Sequence, residues 1–307
     1  MRQNPGVPEL PDVELYLFSL RRVAVGHALR RVSIKSPFLL RTFDPPPEAA
    51  VGRTLVGVSR LGKRIVFDWG EELYFVLHLM IAGRLRWAGK RDAAVPAKVG
   101  LAGLSFDNGT LLLVEPSPKK RASLHVVRGW GEMTLQFDRG GLDLLTSEPD
   151  AVHARLVASG RTLKRALADP TIIDGVGNAY SDEILHAARL SPFKRTRDLE
   201  PAETAALVYT ARDVLGRFTA LLQSEFAAKF PGPGDVTAFR PDFAVHGRFG
   251  HPCPACGTAV QRVRFAENEM NYCPRCQTDG RVLADRSLSR LLRDEWPRTI
   301  EELEEKG

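Results

Sequence analysis

Two groups of residues in this 307-residue chain have the types and spacing to do chemistry. The first is Cys253, Cys256, Cys273 and Cys276, arranged C-x2-C-x16-C-x2-C. Each C-x2-C pair sets two thiolates on one tight knuckle, and Gly257 lets the chain turn back. Two such knuckles close a tetrahedral sulfur shell around one zinc ion. Four sulfurs leave no open coordination position, so this metal shapes a hairpin and catalyses nothing itself. A redox dithiol is the competing use of the same motif. The second group is PELPDVE, Pro8 to Glu14. A proline followed by a glutamate can be an amine nucleophile beside its acid/base partner, provided the proline nitrogen is a free amine. Inside a chain that nitrogen is a tertiary amide with its lone pair delocalised into the preceding carbonyl, and it cannot attack. Read structurally, the same residues are a lead-in to a helix.

Composition narrows the setting. All four cysteines fall in the one cluster, which argues against a dispersed disulfide framework. No run approaches the roughly 20 apolar residues of a membrane span, and Met1 is not followed by an apolar signal core, so a cytoplasmic protein is expected. A formal charge of +6 and a pI near 9.3 suit a polyanionic partner without requiring one. The length predicts two domains, or one with appendages.

The elements that must position these groups are legible in outline. Val13, Leu17 and Leu20 repeat at helical spacing after Pro11, with Gly26 past the end. From about 28 to 137, short runs such as RIVFDW, LYFVLHL and TLLLVE alternate with turn clusters, which predicts a β-sandwich or barrel carrying a leading helix. Residues 138–152 read as a linker. From about 153 to 225 the period is helical, as in LVASGRTLKRALAD and AETAALVYTARDVLGRFTALLQS. KFPGPGDVTAFRPDFAVHGRFGHP is expected to be a long loop. In the cysteine module Val263 and Phe265 alternate with Arg262 and Arg264, as in a β-hairpin. DRSLSRLLRDEW and the acidic end read as a helix and a solvated tail. The turn Gly175-Val176-Gly177-Asn178 precedes a helix bearing Tyr180, Ile184 and Ala187, so its backbone N–H groups can hold an anion or can simply cap the helix.

PELPDVE, DGVGNAYSDEIL and VHGRFGHPCPACG occur here in the order found in the formamidopyrimidine-DNA glycosylase and endonuclease VIII family, which the chain resembles over nearly its whole length. The resemblance implies an α+β multidomain protein. It would have an N-terminal β-sandwich with a leading helix (8–137), a helix-two-turn-helix domain (150–240), a zinc-finger hairpin (243–285) and a C-terminal helix and tail (286–307). It further implies a monomeric bifunctional DNA glycosylase and AP lyase of the bacterial cytoplasm or nucleoid, acting on double-stranded DNA that carries an oxidised base or abasic site. On this resemblance Pro8 is the amine that attacks the sugar and Glu9 the adjoining acid/base carboxylate. Lys63 is a strand lysine contacting phosphate near the lesion, and Glu183 a carboxylate facing the catalytic pocket. Asn178 binds phosphate, and Lys164 is a further basic residue on the DNA. Ile81 occupies the apolar wedge position, while Lys119, Lys120 and Arg121 supply backbone charge. Arg262 and Arg264 do so from the finger.

The chain also departs from the family pattern. Asn268 stands where the family carries an arginine near the finger tip, HLMIAG replaces HLGMSG, and EPSPKKRAS replaces a DPRRFG-like loop without its aromatic residue. The 230–243 loop does not align, so lesion choice is not legible. Seven residues precede Pro8. One valine codon, GTG, is also a bacterial start codon, and initiation at Val7 would leave Pro8 terminal once the initiator methionine is trimmed. We therefore expect residues 1–7 to be absent from the native protein. The alternative is a non-catalytic zinc-finger DNA-binding protein of the same fold.

Overall fold

The computed structural model describes residues 6–265, 269–283 and 298–305. The chain forms two compact units, one of residues up to 139 with 216–238, the other of 140–215 with the residues from 239 onward.

In the first unit Pro11 stands at the start of α1 (Leu10–Val23), where its missing N–H costs nothing. Eight strands follow: β1 (Leu29–Ile34), β2 (Gly57–Leu61), β3 (Arg64–Asp68), β4 (Leu73–His78), β5 (Arg84–Ala88), β6 (Gly100–Phe106), β7 (Thr110–Val114) and β8 (Ser123–Arg128). They pair antiparallel into two sheets of order β1-β6-β7-β5 and β2-β3-β4-β8, the expected sandwich. Ile65, Phe67, Phe75 and Leu77 of one sheet share a core with Leu85, Phe106 and Leu113 of the other. The same core takes in Leu15, Tyr16, Leu17 and Leu20 of α1. Burying each such side chain contributes about 1.5–3 kcal/mol, so α1 is a core element and the residues at its head are rigidly based.

Strand β4 is buried on both faces, because Tyr74 and Val76 pack under Met133 and Phe137 of α2 (Trp130–Phe137). The sequence pattern, read as strands throughout this stretch, misses that helix. Eight residues are too few to establish a 3.6-residue period.

In the second unit LVASGRTLKRALAD, helical in period, falls on two helices, α3 (Pro149–Ser159) and α4 (Leu163–Leu167). Gly160 ends α3 in the left-handed conformation at φ +59. Helices α5 (Asn178–Ala187) and α6 (Pro201–Glu225) follow, and the turns of α6 from Gly216 belong to the first unit. The hairpin β9 (Gln261–Arg264) and β10 (Glu269–Tyr272) forms with Val263 opposite Met270, as the alternation predicts. Two short helices complete the described chain, α7 (Pro274–Thr278) and α8 (Ile300–Glu305). DRSLSRLLRDEW lies outside the described residues. In the acidic end Glu301 and Glu302 are exposed, and its head is tied down. Ile300 is buried, its N–H donates to the Gly280 carbonyl, and Thr299 bridges Arg281.

Candidate nucleic-acid interface and metal centre

In the first unit Pro8 is buried and Glu9 is the N-cap of α1, only 3% exposed. A capping box holds it: Glu9 N–H donates to Asp12 Oδ2 at 3.0 Å, and the Glu9 side chain accepts from the Asp12 N–H. The carboxylate is thereby fixed one peptide away from the Pro8 nitrogen.

Lys63 was expected on a strand. It sits instead, half-buried, on the two-residue turn between β2 and β3, preceded by Gly62 at φ +63. Across the sheet from Arg64 is His78. Burial, reinforced by Arg64, Lys63 and His125, lowers His78 to about 4, so the charge in this corner at neutral pH is carried by Lys63 and Arg64.

Ile81 is half-buried on the turn joining β4 and β5. Gly83 closes that turn through its N–H to the Leu79 carbonyl, 2.9 Å, and a Cβ at Gly83 would lie 2.3 Å from that same oxygen. In the 115–121 loop, the buried Glu115 carboxylate accepts the N–H groups of Arg121 (3.0 Å) and Ala122 (3.1 Å). Lys120 Nζ donates back to the Glu115 carbonyl, whereas Lys119 and Arg121 are exposed. The three cations therefore differ: Lys120 ties the loop to itself, and two remain at the surface.

In the second unit Gly175 at φ +75 and Gly177 at the N-cap turn the chain into α5, and Asn178 is its first residue. Asn178 Nδ2 donates to the Glu269 carbonyl of β10 at 2.9 Å. Behind it lies a buried polar hub. Lys164 Nζ donates to the Asn178 carbonyl (2.5 Å), Ser181 Oγ (2.9 Å) and Asp182 Oδ1 (2.5 Å). Asp182 Oδ2 lies 2.7 Å from His246 Nδ1 and accepts from Asn271 N–H at 3.1 Å. Lys164, expected on the DNA, is 7% exposed and its ammonium is hydrogen-bonded within the protein.

Glu183 departs from expectation in the same way. Its oxygens accept the N–H groups of Ala244 (2.7 Å), Val245 (2.9 Å) and His246 (2.8 Å), and it is 3% exposed. A carboxylate saturated by three amides positions a backbone segment. Asp182, His246 and Asn271 complete this buried polar network, and sequence reasoning missed them. The available signal was the pair of adjacent acids in AYSDEIL, a stretch that is otherwise largely apolar.

The four cysteine sulfurs lie within 4.8 Å of one another, with Cys253 to Cys276 at 4.0 Å and Cys256 to Cys273 at 3.4 Å. A tetrahedron with Zn–S bonds of about 2.3 Å has edges of roughly 3.8 Å, so the cage fits one structural zinc. His186 of α5 brings Nε2 to 3.2 Å from Cys253 Sγ, which ties the helix to the finger. Arg262 stacks its guanidinium over the Phe249 ring at 4.1 Å and lies 3.5 Å from the Glu269 carboxylate, while Arg264 is exposed. Asn268 lies outside the described residues. Metal binding of this kind contributes about 10–16 kcal/mol to folding. Stripping the zinc with a chelator, or replacing Cys273 by serine, should therefore unfold the finger, read as loss of β-hairpin signal together with release of one zinc per chain.

Among the described residues no helix is long and apolar enough to cross a membrane. Three family models match the chain: the formamidopyrimidine-DNA glycosylase N-terminal domain over residues 7–121, the H2TH domain over 143–225, and the zinc finger found in FPG and IleRS over 250–278. Formamidopyrimidine-DNA glycosylase of Symbiobacterium thermophilum is 32% identical over 276 residues, 88% of this chain and 89% of that protein. That of Thermus thermophilus is 34% identical over 278 residues, 89% of this chain and all of the relative. Among solved structures, Lactococcus lactis formamidopyrimidine-DNA glycosylase bound non-covalently to DNA containing an AP site aligns with a TM-score of 0.75. It shares 24% identity and covers 88% of this chain and 99% of that one, a likeness of fold. With the sandwich, the helix-two-turn-helix segment and the four-cysteine finger all matched in order, the chain belongs to the formamidopyrimidine-DNA glycosylase family.

Proposed function

We propose that the protein is a base-excision repair DNA glycosylase with AP-lyase activity, in which the Pro8 nitrogen, when it is a terminal amine, is the nucleophile. The observation that carries this reading is the head of α1. There Glu9 is buried and capped one peptide bond from the Pro8 nitrogen, and the family's N-terminal domain begins at residue 7. The substrate is duplex DNA with an oxidised base or an abasic site, as in relatives solved with AP-site DNA and with carbocyclic 8-oxo-G DNA. The compartment is the bacterial cytoplasm.

A damaged nucleotide is reached by extrusion from the stack. The amine lone pair then attacks C1′, and the bond from C1′ to the base breaks with its electrons leaving on the base, which gains a proton. The nitrogen loses its N–H proton, the C1′–O4′ bond opens with its electrons going to O4′, which is protonated, and the iminium ion so formed is an electron sink that acidifies the neighbouring C–H. Loss of that proton and departure of the 3′ phosphate cut the strand, and water adds to the iminium carbon, releasing the sugar as an unsaturated aldehyde and returning the amine. Glu9 serves the proton transfers.

In the first unit Lys63, Lys119 and Arg121 neutralise phosphate, and in the second Arg262 and Arg264 do so, with Asn178 and the N-terminus of α5 holding a further phosphate. Ile81 fills the gap left by the extruded nucleotide. Lys164 and Glu183 act behind the interface by fixing α5 against the entry to the finger. The functional segments are the sandwich of 8–137, the helix-two-turn-helix of 150–240 and the finger of 243–285.

A second reading rests on the Pro8 nitrogen being an amide in the chain as written: a DNA-binding member that does not cut. Incubating a chain that begins at Pro8 with duplexes carrying oxidised bases separates the two. Strand breaks with elimination-type ends support the enzyme. Salt-sensitive binding without breaks supports the second reading.

A further inference from the structure

One buried arginine in the first unit is unexplained by either the fold or the proposed chemistry. Arg84, at the start of β5, is 2% exposed. Its Nε donates to the Val236 carbonyl at 2.7 Å, and Nη1 to the carbonyls of Gly83 (2.7 Å) and Ile81 (3.1 Å). Nη2 donates to the carbonyl of Gly6 at 3.3 Å. A single guanidinium thus joins the segment that leads to Pro8, the turn that carries Ile81, and the loop after α6. An arginine here costs desolvation energy that an apolar residue would avoid.

The segment before Pro8 is seated closely on this hub. Gly6 has φ +69, and a Cβ there would lie 2.3 Å from Ala238 Cβ. At no more than about 3.6 Å of chain per residue, the Pro8 nitrogen lies within roughly 7 Å of the Gly6 carbonyl that Arg84 holds.

The charged and titratable groups around Arg84 come from several elements. Asp12 and Tyr16 on α1 and Glu115 at the end of β7 act on it, and Asp235 acts on Tyr16. Glu9 adjoins Pro8. Burial pushes the Tyr16 phenol well above its ordinary value, so it stays neutral, and its oxygen accepts the Leu85 N–H at 3.2 Å. Asp12 Oδ2 lies 3.0 Å from the Glu9 nitrogen, one residue from Pro8, so Glu9 and Asp12 both favour the ammonium form of a Pro8 amine. A protonated amine cannot attack C1′.

We propose that Arg84 is a positioning residue for the Pro8 nucleophile: when the chain begins at Pro8, the guanidinium edge that holds the Gly6 carbonyl at 3.3 Å, and so lies within about 10 Å of the Pro8 nitrogen, favours the neutral, attacking form of the amine. This rests on the Pro8 reading above. The same residue holds the Ile81 turn and the Val236 segment, so nucleophile and wedge share one support.

The test uses the zinc-loaded chain beginning at Pro8, with Arg84 retained and as Arg84→Lys, Arg84→Gln and Arg84→Met. The rate of borohydride-trapped adduct formation on abasic-site DNA is followed under single turnover across the ordinary α-amino pKa of about 7.7–8.0. Loss of the positive charge raises the pKa of the amine, so either neutral variant that folds should move the acid limb about one unit upward. Such a shift is a roughly tenfold loss of rate on the acid side, with recovery at high pH. Arg84→Lys should keep the limb near its original position. The proposal is overturned if a folded neutral variant keeps the original profile, if lysine shifts it as far as glutamine does, or if both neutral variants fail to fold while lysine folds. Should the Arg84 protein itself trap no adduct, the Pro8 reading fails together with the proposal. A normal adduct with an unmoved limb removes Arg84 alone.

Discussion

Replacing Asp182 with alanine should destabilise the second unit by about 3–5 kcal/mol, the cost of leaving a buried charge without its partner. Asp182 is 1% exposed and is the charged acceptor for Lys164 Nζ. Without it the ammonium keeps two neutral oxygens, the Asn178 carbonyl and Ser181 Oγ. His246 Nδ1 and Asn271 N–H lose their acceptor in the same substitution. Because these two residues lie on either side of the first cysteine pair, the loss should also loosen the finger. Denaturant unfolding gives the free energy, and the rate of zinc transfer to a chelator should rise in parallel. Adding Lys164→Met to Asp182→Ala should recover part of the loss, since removing both charges of a buried pair is far less costly than removing one. No recovery would mean that the ion pair is not the origin of the effect.

The second large effect concerns residues 1–7. With them retained, Pro8 is a tertiary amide and no adduct with abasic-site DNA should be trapped by borohydride. With Pro8 terminal, trapping should approach completion under single turnover. DNA affinity should be similar in the two forms, because the cations assigned to phosphate all lie after Pro8. The comparison therefore separates chemistry from binding, and equal trapping by both forms would place the nucleophile elsewhere.

How legible these features were in the sequence follows from how far apart their parts lie. The zinc cage was readable because its four ligands occupy 24 residues with a fixed spacing. The head of α1 was readable because proline, glutamate and the helical period adjoin. Lys164 and Glu183 could be found but not interpreted. Lys164 is satisfied partly by Asp182, and Glu183 by amides 61 to 63 residues away, so burial turns both from surface charges into anchors. Arg84 was invisible, since its acceptors are 1, 3, 78 and 152 residues distant. Helix α2 escaped because its length falls below what a periodicity can establish, and the break at Gly160 because a single left-handed residue separates α3 from α4.

Which atom carries the DNA decides most directly whether Pro8 is the nucleophile. The adduct formed by the Pro8-terminal protein on abasic-site DNA is reduced with borohydride, digested and mapped by mass spectrometry. The expected result is a sugar-derived mass on the N-terminal peptide, attached at the Pro8 nitrogen. A crosslink at Lys63 or another lysine, or no crosslink from protein that binds the DNA, would contradict it.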